Sequence, residues 1–333
     1  GMVLELLSGT LESMWIYLLG AFIAGFCMCM LNTVVNPLLN VLGGGGNTGN
    51  QLIQIGGAFN SAAAVAVYII LGALIGEVTK DTAIVDAAPA MYIALGIFVA
   101  AFIVLFFTKI EEPKQEPVKA ELIKGALSHR HFALGALAIF LYMSVEVGTP
   151  TYMIKYLISD VGISAGVASL IAAVYWFAMF IGRSIGGSIG GKVSSRAMVS
   201  TVAIAAIILL AFGMLAPSTL TVQVPGVDWA NLSVIWVDVP VGVAAFICVG
   251  LCTSVMWGGI FNMAVEGLGK YTAAASGIFM TMVFGCAIMV ALQAVVAEQT
   301  GSYLVSYIIP LACAAYILFY ALVGSRVKKT EAE

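Results

Sequence analysis

Long apolar runs dominate the chain and are separated by short polar or charged segments. Nine of them reach about 20 residues, the length that an α-helix needs to cross the hydrocarbon core of a bilayer. They lie at roughly 14–36, 54–76, 88–108, 132–156, 163–184, 197–216, 240–264, 274–297 and 303–325. The runs are continuously apolar and lack the alternation of membrane β-strands. The sequence therefore predicts an all-α fold, a polytopic helical bundle with nine spans.

Composition agrees with an integral membrane protein, since 62% of the 333 residues are hydrophobic and only 9% are charged. The net charge of -3 predicts no partner. Nine alternating spans divide the basic residues twelve to two between the sides of the membrane, with Lys80 and Lys155 in the minority. Basic residues favour the cytoplasmic side. We therefore expect a cytoplasmic C-terminus and an external segment at 217–239, which has no Lys or Arg.

A charged segment at 109–130 separates three spans from six, and its mixed signs and two prolines are typical of a solvated cytoplasmic linker. Within the spans, MLNTVVNPLLNVLG (30–43) aligns without gaps with MWGGIFNMAVEGLG (256–269), and four of the fourteen positions are identical. Such a repeat makes spans one and seven equivalent members of two six-helix halves. The halves are then 1–108 and 131–333, with three further spans expected upstream of residue 1. A native nine-span protein is the alternative.

Glu146 is the acidic residue that falls well inside an apolar run. A charge in hydrocarbon costs at least about 2.5 to 3.5 kcal/mol, so a carboxylate there implies a partner, a cavity or a proton. Tyr142 and Thr149 share its helix face. Pro150 cannot donate to the carbonyl of residue 146, so the helix is expected to kink or open there. We interpret Glu146 as a proton-coupling or substrate residue; the alternative is a structural hydrogen bond made by a protonated side chain.

Carboxamide and aromatic side chains recur in the same spans. Carboxamides offer both donors and acceptors, and aromatic rings stack on the apolar face of a sugar. Together they predict a cavity for a neutral, polyhydroxylated ligand, although each alone is equally consistent with hydrogen bonding between helices. The candidate substrate-binding residues are Asn32, Asn36, Gln54, Asn60, Tyr142, Tyr175, Trp176, Trp257 and Asn262.

The fifth span ends in YWFAMFIGRSIGGSIGGKVSSR, where closely spaced glycines precede basic residues. Such glycines let helices approach closely, and Arg183, Lys192 and Arg196 are predicted to form a conformational gate at the cytoplasmic face. A phosphate-binding loop requires Ser or Thr after the lysine, and Val193 stands there. No catalytic triad or paired carboxylates occur within a span, so the sequence predicts neither an enzyme nor a metal or other cofactor.

Three stretches of the chain resemble the major facilitator superfamily, specifically its bacterial fucose:proton symporter and glucose/galactose transporter family. They are LNTVVNPLLNVLG with QLIQIGGAFNS (31–61), YMSVEVGTPTYMIKYL with YWFAMFIGRSIGG, and SVMWGGIFNMAVEGLGKYTAAASGIFMTMVFGCAIM with SYIIPLACAAYILFY. The resemblance implies a chain that runs from the end of helix three to helix twelve of a twelve-helix transporter. By position, it implies that Asn32 is a polar helix-four site, Asn60 a sugar-contacting asparagine and Glu146 a helix-seven glutamate.

Two positions depart from the pattern of that family. Asn32 stands where relatives have glutamate or glutamine, and Trp257-Gly258-Gly259 stands where they have Phe-Pro. The resemblance implies a monomeric, multi-pass protein of the bacterial inner membrane that takes up a monosaccharide of the fucose, glucose or galactose type. Symport by alternating access would use the proton gradient as its energy source, without a cofactor or a nucleic-acid partner. The alternatives are an exporter of another small solute and a transport-dead membrane receptor or scaffold.

Overall fold

A computed structural model describes residues 1–44, 46–75, 83–109, 120–228 and 233–327. These residues form thirteen α-helices and two β-strands. In chain order they are α1 (Met2–Leu11), α2 (Met14–Leu42), α3 (Gly46–Ile75), α4 (Ala88–Phe107), α5 (Ala120–Ser128), α6 (Arg130–Met143), α7 (Thr149–Ser159), α8 (Ala165–Ile189), α9 (Ser195–Leu215), β1 (Thr221–Asp228), β2 (Ser233–Pro240), α10 (Val241–Val265), α11 (Thr272–Met282), α12 (Gly285–Thr300) and α13 (Ile308–Phe319). The predicted helical membrane bundle is confirmed.

Within the described residues, eight helical stretches are long and apolar enough to cross a membrane, which corrects the predicted count of nine. They are Met14–Leu42, Ile84–Phe107, Arg130–Ser159, Ala165–Ile189, Ser195–Leu215, Val241–Val265, Gly269–Thr300 and Val305–Gly324. The predicted span at 54–76 overlaps α3, in which the shorter apolar helix Gln51–Val67 is described. Residue 76 of that span lies outside the described residues.

The segment at 217–239 contains a β-hairpin that the all-α prediction missed. β1 and β2 pair antiparallel, with Thr221 opposite Pro240 and Asp228 opposite Ser233. Side chains alternate between the two faces of a strand, and accordingly Val239 is buried while Trp236 is 63% exposed. A hairpin of this length lacks the long apolar run by which membrane spans are recognised. Apolar runs therefore do not predict it.

Part of the predicted linker at 109–130 is a packed helix. Residues 110–119 of the linker lie outside the described residues, as do Lys80, Lys328 and Lys329 among the basic residues counted above. The later part forms α5, in which Ala126 is fully buried. Gly125 lies so close to the Tyr271 ring that the backbone of α5 packs directly on that aromatic side chain.

The buried core is built almost entirely from residues after Ala126, whereas α2 and α4 present mostly exposed apolar side chains. α10 packs along α8 and α9, and α3 packs along α8. Glycines make the second of these contacts close, since a Cβ on Gly187 would stand 3.1 Å from Cγ1 of Ile55. This α3/α8 seam joins the two predicted halves and borders the site described next.

Candidate functional site

Glu146 lies in a π-helical turn, Ser144–Gly148, between α6 and α7. Proline cannot supply an N–H to the preceding turn, and Pro150 stands in the first turn of α7. The expected opening of the helix at residue 146 is therefore confirmed, and it takes the form of a widened turn. Such turns occur frequently at functional sites.

A cavity of about 270 Å³, here called the central cavity, lies beside this turn, between α2 and α3 on one side and α8, α10 and α11 on the other. Five of the predicted substrate-binding residues line it, and all of them are amides or aromatic: Asn32, Asn36, Gln54, Asn60 and Trp257. Glu146 and Arg183 complete its polar wall. The structure therefore brings side chains from three separate sequence stretches into one polar chamber.

Arg183 forms an ion pair with Glu146 in the wall of this cavity, with Nη2 3.3 Å from Oε1. The two side chains are only 11% and 12% exposed. Arg183 also donates from Nη1 to the carbonyl of Gly57 at 2.8 Å and from Nε to the carbonyl of Ser254 at 3.3 Å. A buried carboxylate needs a partner. Among the described residues, Arg183 is the ion-pair partner of Glu146.

The position of Arg183 corrects its predicted place in a cytoplasmic gate. We expected it at the helix end with Lys192 and Arg196, but it lies within α8 and points into the cavity. Lys192 is exposed in the turn that follows α8. Arg196 donates from Nε to the Ser325 hydroxyl at 3.2 Å and from Nη2 to the Ser325 carbonyl at 3.3 Å. Sequence spacing grouped the three because glycines and basic residues alternate to the end of the span.

The tyrosines lie behind the cavity wall and outside its lining. Tyr142 is fully buried, and its hydroxyl donates to the carbonyl of Thr253 at 3.2 Å. Tyr175 is also fully buried and donates to the carbonyl of Glu146 at 2.9 Å. Trp176 packs edge-on against Tyr175, with ring centroids 5.5 Å apart. Tyr175 therefore satisfies a backbone carbonyl of the widened turn and helps to position Glu146.

Asn262 lies apart from the other amides, in a second cavity of about 540 Å³. Its Nδ2 donates to the Ser195 hydroxyl at 2.9 Å, and its Oδ1 accepts from Asn40 Nδ2 at 3.4 Å. It thus connects α2 with the start of α9. The repeat pairs Asn36 with Asn262, yet only Asn36 faces the central cavity.

Backbone groups of Gly57 and Ser254 belong to the site, and the sequence reasoning did not name them. Both lie along the cavity and accept hydrogen bonds from Arg183. Carbonyl groups carry no sequence signature, so the glycines around them were the only available signal. A Cβ added to Gly57 would stand only 3.1 Å from Arg183 Cδ. Because glycine has no side chain, the guanidinium can come close enough to reach the Gly57 carbonyl.

The fold and this site define a polytopic membrane protein with an internal polar chamber between two groups of helices. The sequence model of the Major Facilitator Superfamily matches residues 1–292, and the chain belongs to that superfamily. The family expected from sequence motifs is thereby confirmed.

Relatives with curated names give the same family context. A glucose/galactose transporter of Brucella abortus biovar 1 (strain 9-941) is 27% identical over 318 residues, which cover 92% of this chain and 71% of the relative. A putative glucose/galactose transporter of Helicobacter pylori (strain J99) is 28% identical over 324 residues, covering 92% and 74%. The L-fucose-proton symporter of Escherichia coli (strain K12) is 21% identical over 333 residues, covering 92% and 71%.

A solved structure confirms the fold. The crystal structure of the Escherichia coli fucose:proton symporter superposes with a TM-score of 0.79 at 18% identity, covering 98% of this chain and 81% of that one. At this level of identity the likeness establishes the architecture, and the chemistry of the cavity has to be argued from the residues themselves.

Proposed function

We propose that this chain is a secondary active transporter of a monosaccharide and works by alternating access of its two predicted halves around the central cavity. The observation that carries the proposal is the lining of that cavity. Four amides, one tryptophan and one partly buried ion pair face the same chamber of about 270 Å³. A neutral polyhydroxylated ligand needs many donors and acceptors and an apolar ring to stack on, and this wall offers both.

Polar contacts across the α3/α8 seam and its neighbours support the alternating-access part of the proposal. Arg183 reaches the Gly57 carbonyl at 2.8 Å, and Gln54 Nε2 donates to the Val255 carbonyl at 3.1 Å. Each bond joins residues 1–108 to residues 131–333. An opening between the halves at this place has to break these bonds, so a ligand or proton that weakens them shifts the equilibrium between the two states.

Proton coupling at Glu146 is the second part of the proposal. A carboxylate paired with Arg183 at 3.3 Å becomes neutral when it binds a proton, and the attraction to the guanidinium is then lost. Arg183 would be free to contact the sugar or to release Gly57. The proton gradient would be the energy source, with no cofactor, and the relatives named above support a sugar as substrate.

The remaining expectations are also part of this proposal. The relatives named above are bacterial, so the proposed location is the bacterial inner membrane, with the C-terminus cytoplasmic as the basic residues predict. We expect the protein to be a monomer. We also expect it to transport its substrate unchanged and so not to be an enzyme. An exporter of another small solute is the competing function.

Tryptophan fluorescence tests the substrate class, because Trp257 lines the cavity. In a variant that keeps Trp257 as the sole tryptophan, glucose, galactose or fucose should change the emission saturably. A matched variant that keeps only Trp236, 63% exposed on the hairpin, should show no response. Quenching of Trp257 by hydrophobic cations and not by sugars would instead favour the exporter.

Transport tests the role of Glu146. In proteoliposomes with an imposed pH gradient, Glu146→Gln should abolish sugar accumulation, because the amide cannot exchange a proton. Sugar-dependent emission of Trp257 should persist, since the amide still offers a donor and an acceptor. Accumulation equal to that of the unmodified chain would refute the coupling role.

A further inference from the structure

A third cavity, of about 210 Å³, opens at the end of the bundle that carries the β-hairpin. Its lining includes Tyr152, Lys155, Glu298 and Tyr303. The two tyrosine rings lie 6.3 Å apart, and Lys155 Nζ stands 4.7 Å from the centroid of the Tyr152 ring. The distribution of basic residues makes this the external end. The cavity is therefore a polar, aromatic entrance that the proposed sugar site does not use.

Three buried polar atoms lie beside the π-helical turn, and none has a hydrogen-bond partner among the described residues: Gln293 Oε1, Ser144 Oγ and Thr149 Oγ1. Each of the three residues is 0% exposed. A Cβ on Gly148 would stand 2.6 Å from Gln293 Oε1 and 3.7 Å from Ser144 Oγ, so these atoms flank the same point of the turn. The Cys313 thiol lies beside Ser144 but is only a weak donor.

The helical register places these atoms directly beneath the third cavity. Thr149 precedes the lining residue Tyr152 by three positions, and Gln293 precedes the lining residue Ala297 by four. One turn of helix rises about 5.4 Å. Ser306, whose hydroxyl lies 3.3 Å from Gln293 Nε2, donates in turn to the carbonyl at position 303 at 2.6 Å. Polar groups thus continue from the floor of the cavity to the turn that holds Glu146.

Buried polar atoms without protein partners are the usual binding place of internal water, which makes about three hydrogen bonds. We propose that water bound to Gln293, Ser144 and Thr149 links the third cavity to Glu146, and that protons reach this carboxylate by that route. The inference rests on the proton coupling proposed above. The route approaches the turn from the external end and bypasses the central cavity.

The proton balance of this step is simple. A hydronium ion at the external entrance gives up one O–H bond, and protons shift along the hydrogen-bonded water. One O–H bond forms on a carboxylate oxygen of Glu146, and a neutral water molecule remains at the entrance. The carboxylic acid then no longer holds Arg183 by charge. Because the route approaches the turn from outside the central cavity, whose wall includes Glu146, a sugar bound in that cavity does not close the route.

Hydroxyl-radical footprinting tests the water itself and needs no transport. Radicals generated from bound water oxidise nearby thiols. Cys313, which is 4% exposed and lies beside Ser144, should therefore be modified in the full chain. Cys252, which is 5% exposed on α10, is the matched control and should resist modification. Gln293→Leu should lower the modification of Cys313 to the level of Cys252. Equal, low modification of both thiols in the unmodified chain would overturn the inference.

Transport assays test the proton route. Gln293→Leu should lose most sugar-driven proton uptake into proteoliposomes, while exchange of labelled for unlabelled sugar, which moves no net proton, should continue. Tyr320→Phe is the matched control, because its hydroxyl is likewise buried without a partner among the described residues but lies at the opposite end of the bundle, near Gly135. Proton uptake unchanged by Gln293→Leu, or reduced equally by Tyr320→Phe, would refute the route.

The two proposals fail in different ways. If sugars leave the emission unchanged in the variant whose sole tryptophan is Trp257, the proposed substrate is wrong, whereas oxidation of Cys313 in the unmodified chain still reports the water. If sugars bind and exchange but Cys313 stays unmodified, the sugar proposal stands and the water route falls. Oxidation of Cys313 together with normal proton uptake in Gln293→Leu identifies a structural water and also overturns the route.

Discussion

Replacing Arg183 by methionine removes the cation from Glu146 and keeps an unbranched side chain of similar length. In the unmodified protein the two side chains are 11% and 12% exposed and 3.3 Å apart. Removing one member of a buried pair typically costs about 3 to 5 kcal/mol, because the other charge is left without compensation. In Arg183→Met the carboxylate can avoid this cost by binding a proton. Protonation therefore sets an upper limit, which depends on pH, on the loss of stability.

The upper limit on the stability loss is the free energy of protonating an ordinary carboxyl group in water. With a reference pKa of about 4.3, protonation at pH 7 costs about 2.7 units at about 1.36 kcal/mol each, or about 3.7 kcal/mol. At pH 5 the same calculation gives about 1 kcal/mol. The folded variant then binds a proton that the unfolded chain does not bind at pH 7. Its stability relative to the unmodified protein should therefore fall as pH rises.

The free energy of unfolding in mixed detergent, measured at several pH values between 5 and 8, tests this expectation. Glu146→Gln leaves Arg183 with its bonds to the carbonyls of Gly57 and Ser254 but with a charge that it cannot release, so its stability loss should not vanish at low pH. A loss in Arg183→Met that is constant between pH 5 and 8 would show that Arg183 does not compensate this carboxylate.

Three further changes test packing and hydrogen bonding. Gly242→Ala should destabilise the fold by about 1 to 3 kcal/mol, because the added Cβ would stand 2.6 Å from the Gly213 carbonyl oxygen; a melting temperature equal to that of the unmodified chain would contradict this. Gln54→Leu loses a 3.1 Å bond to the Val255 carbonyl and should increase labelling of a cysteine placed at the α3/α8 seam. Tyr307→Phe removes a 2.7 Å bond to the Thr149 carbonyl and should cost about 0.5 to 1.5 kcal/mol in unfolding assays.

The site could be predicted in part from the sequence, as Glu146 and the amides show. Glu146 was visible because a carboxylate in an apolar run is costly, and Pro150 fixed where the helix opens. Asn32 and Asn36 were visible because residues four apart share a helix face, and both line the cavity. Tyr142 and Tyr175 show the limit of this reasoning, since aromatic residues of suitable spacing turned out to be buried behind the wall.

Arg183 shows why the rest required coordinates. In the sequence, Arg183 belongs to a run of glycines and basic residues at a helix end, and this pattern predicted a gate. Its side chain is long, and its direction depends on which helix packs against that face of α8. The close approach of α3 at Gly57 turns the guanidinium into the cavity, where Glu146 lies. Pairings between distant segments leave no local pattern in the sequence.

Three features could be inferred from the amino-acid sequence alone: that the chain crosses a membrane as helices, which family it resembles and where one helix must open. Each of these depends on local chemistry: continuous apolar runs, short motifs, and a proline next to a carboxylate. The three-dimensional arrangement was needed to show that Arg183 is the partner of Glu146 and that Asn262 lies apart from the other amides. It was also needed to show that Gln293 lies behind the widened turn. These facts depend on contacts between residues far apart in the chain, which close packing alone establishes.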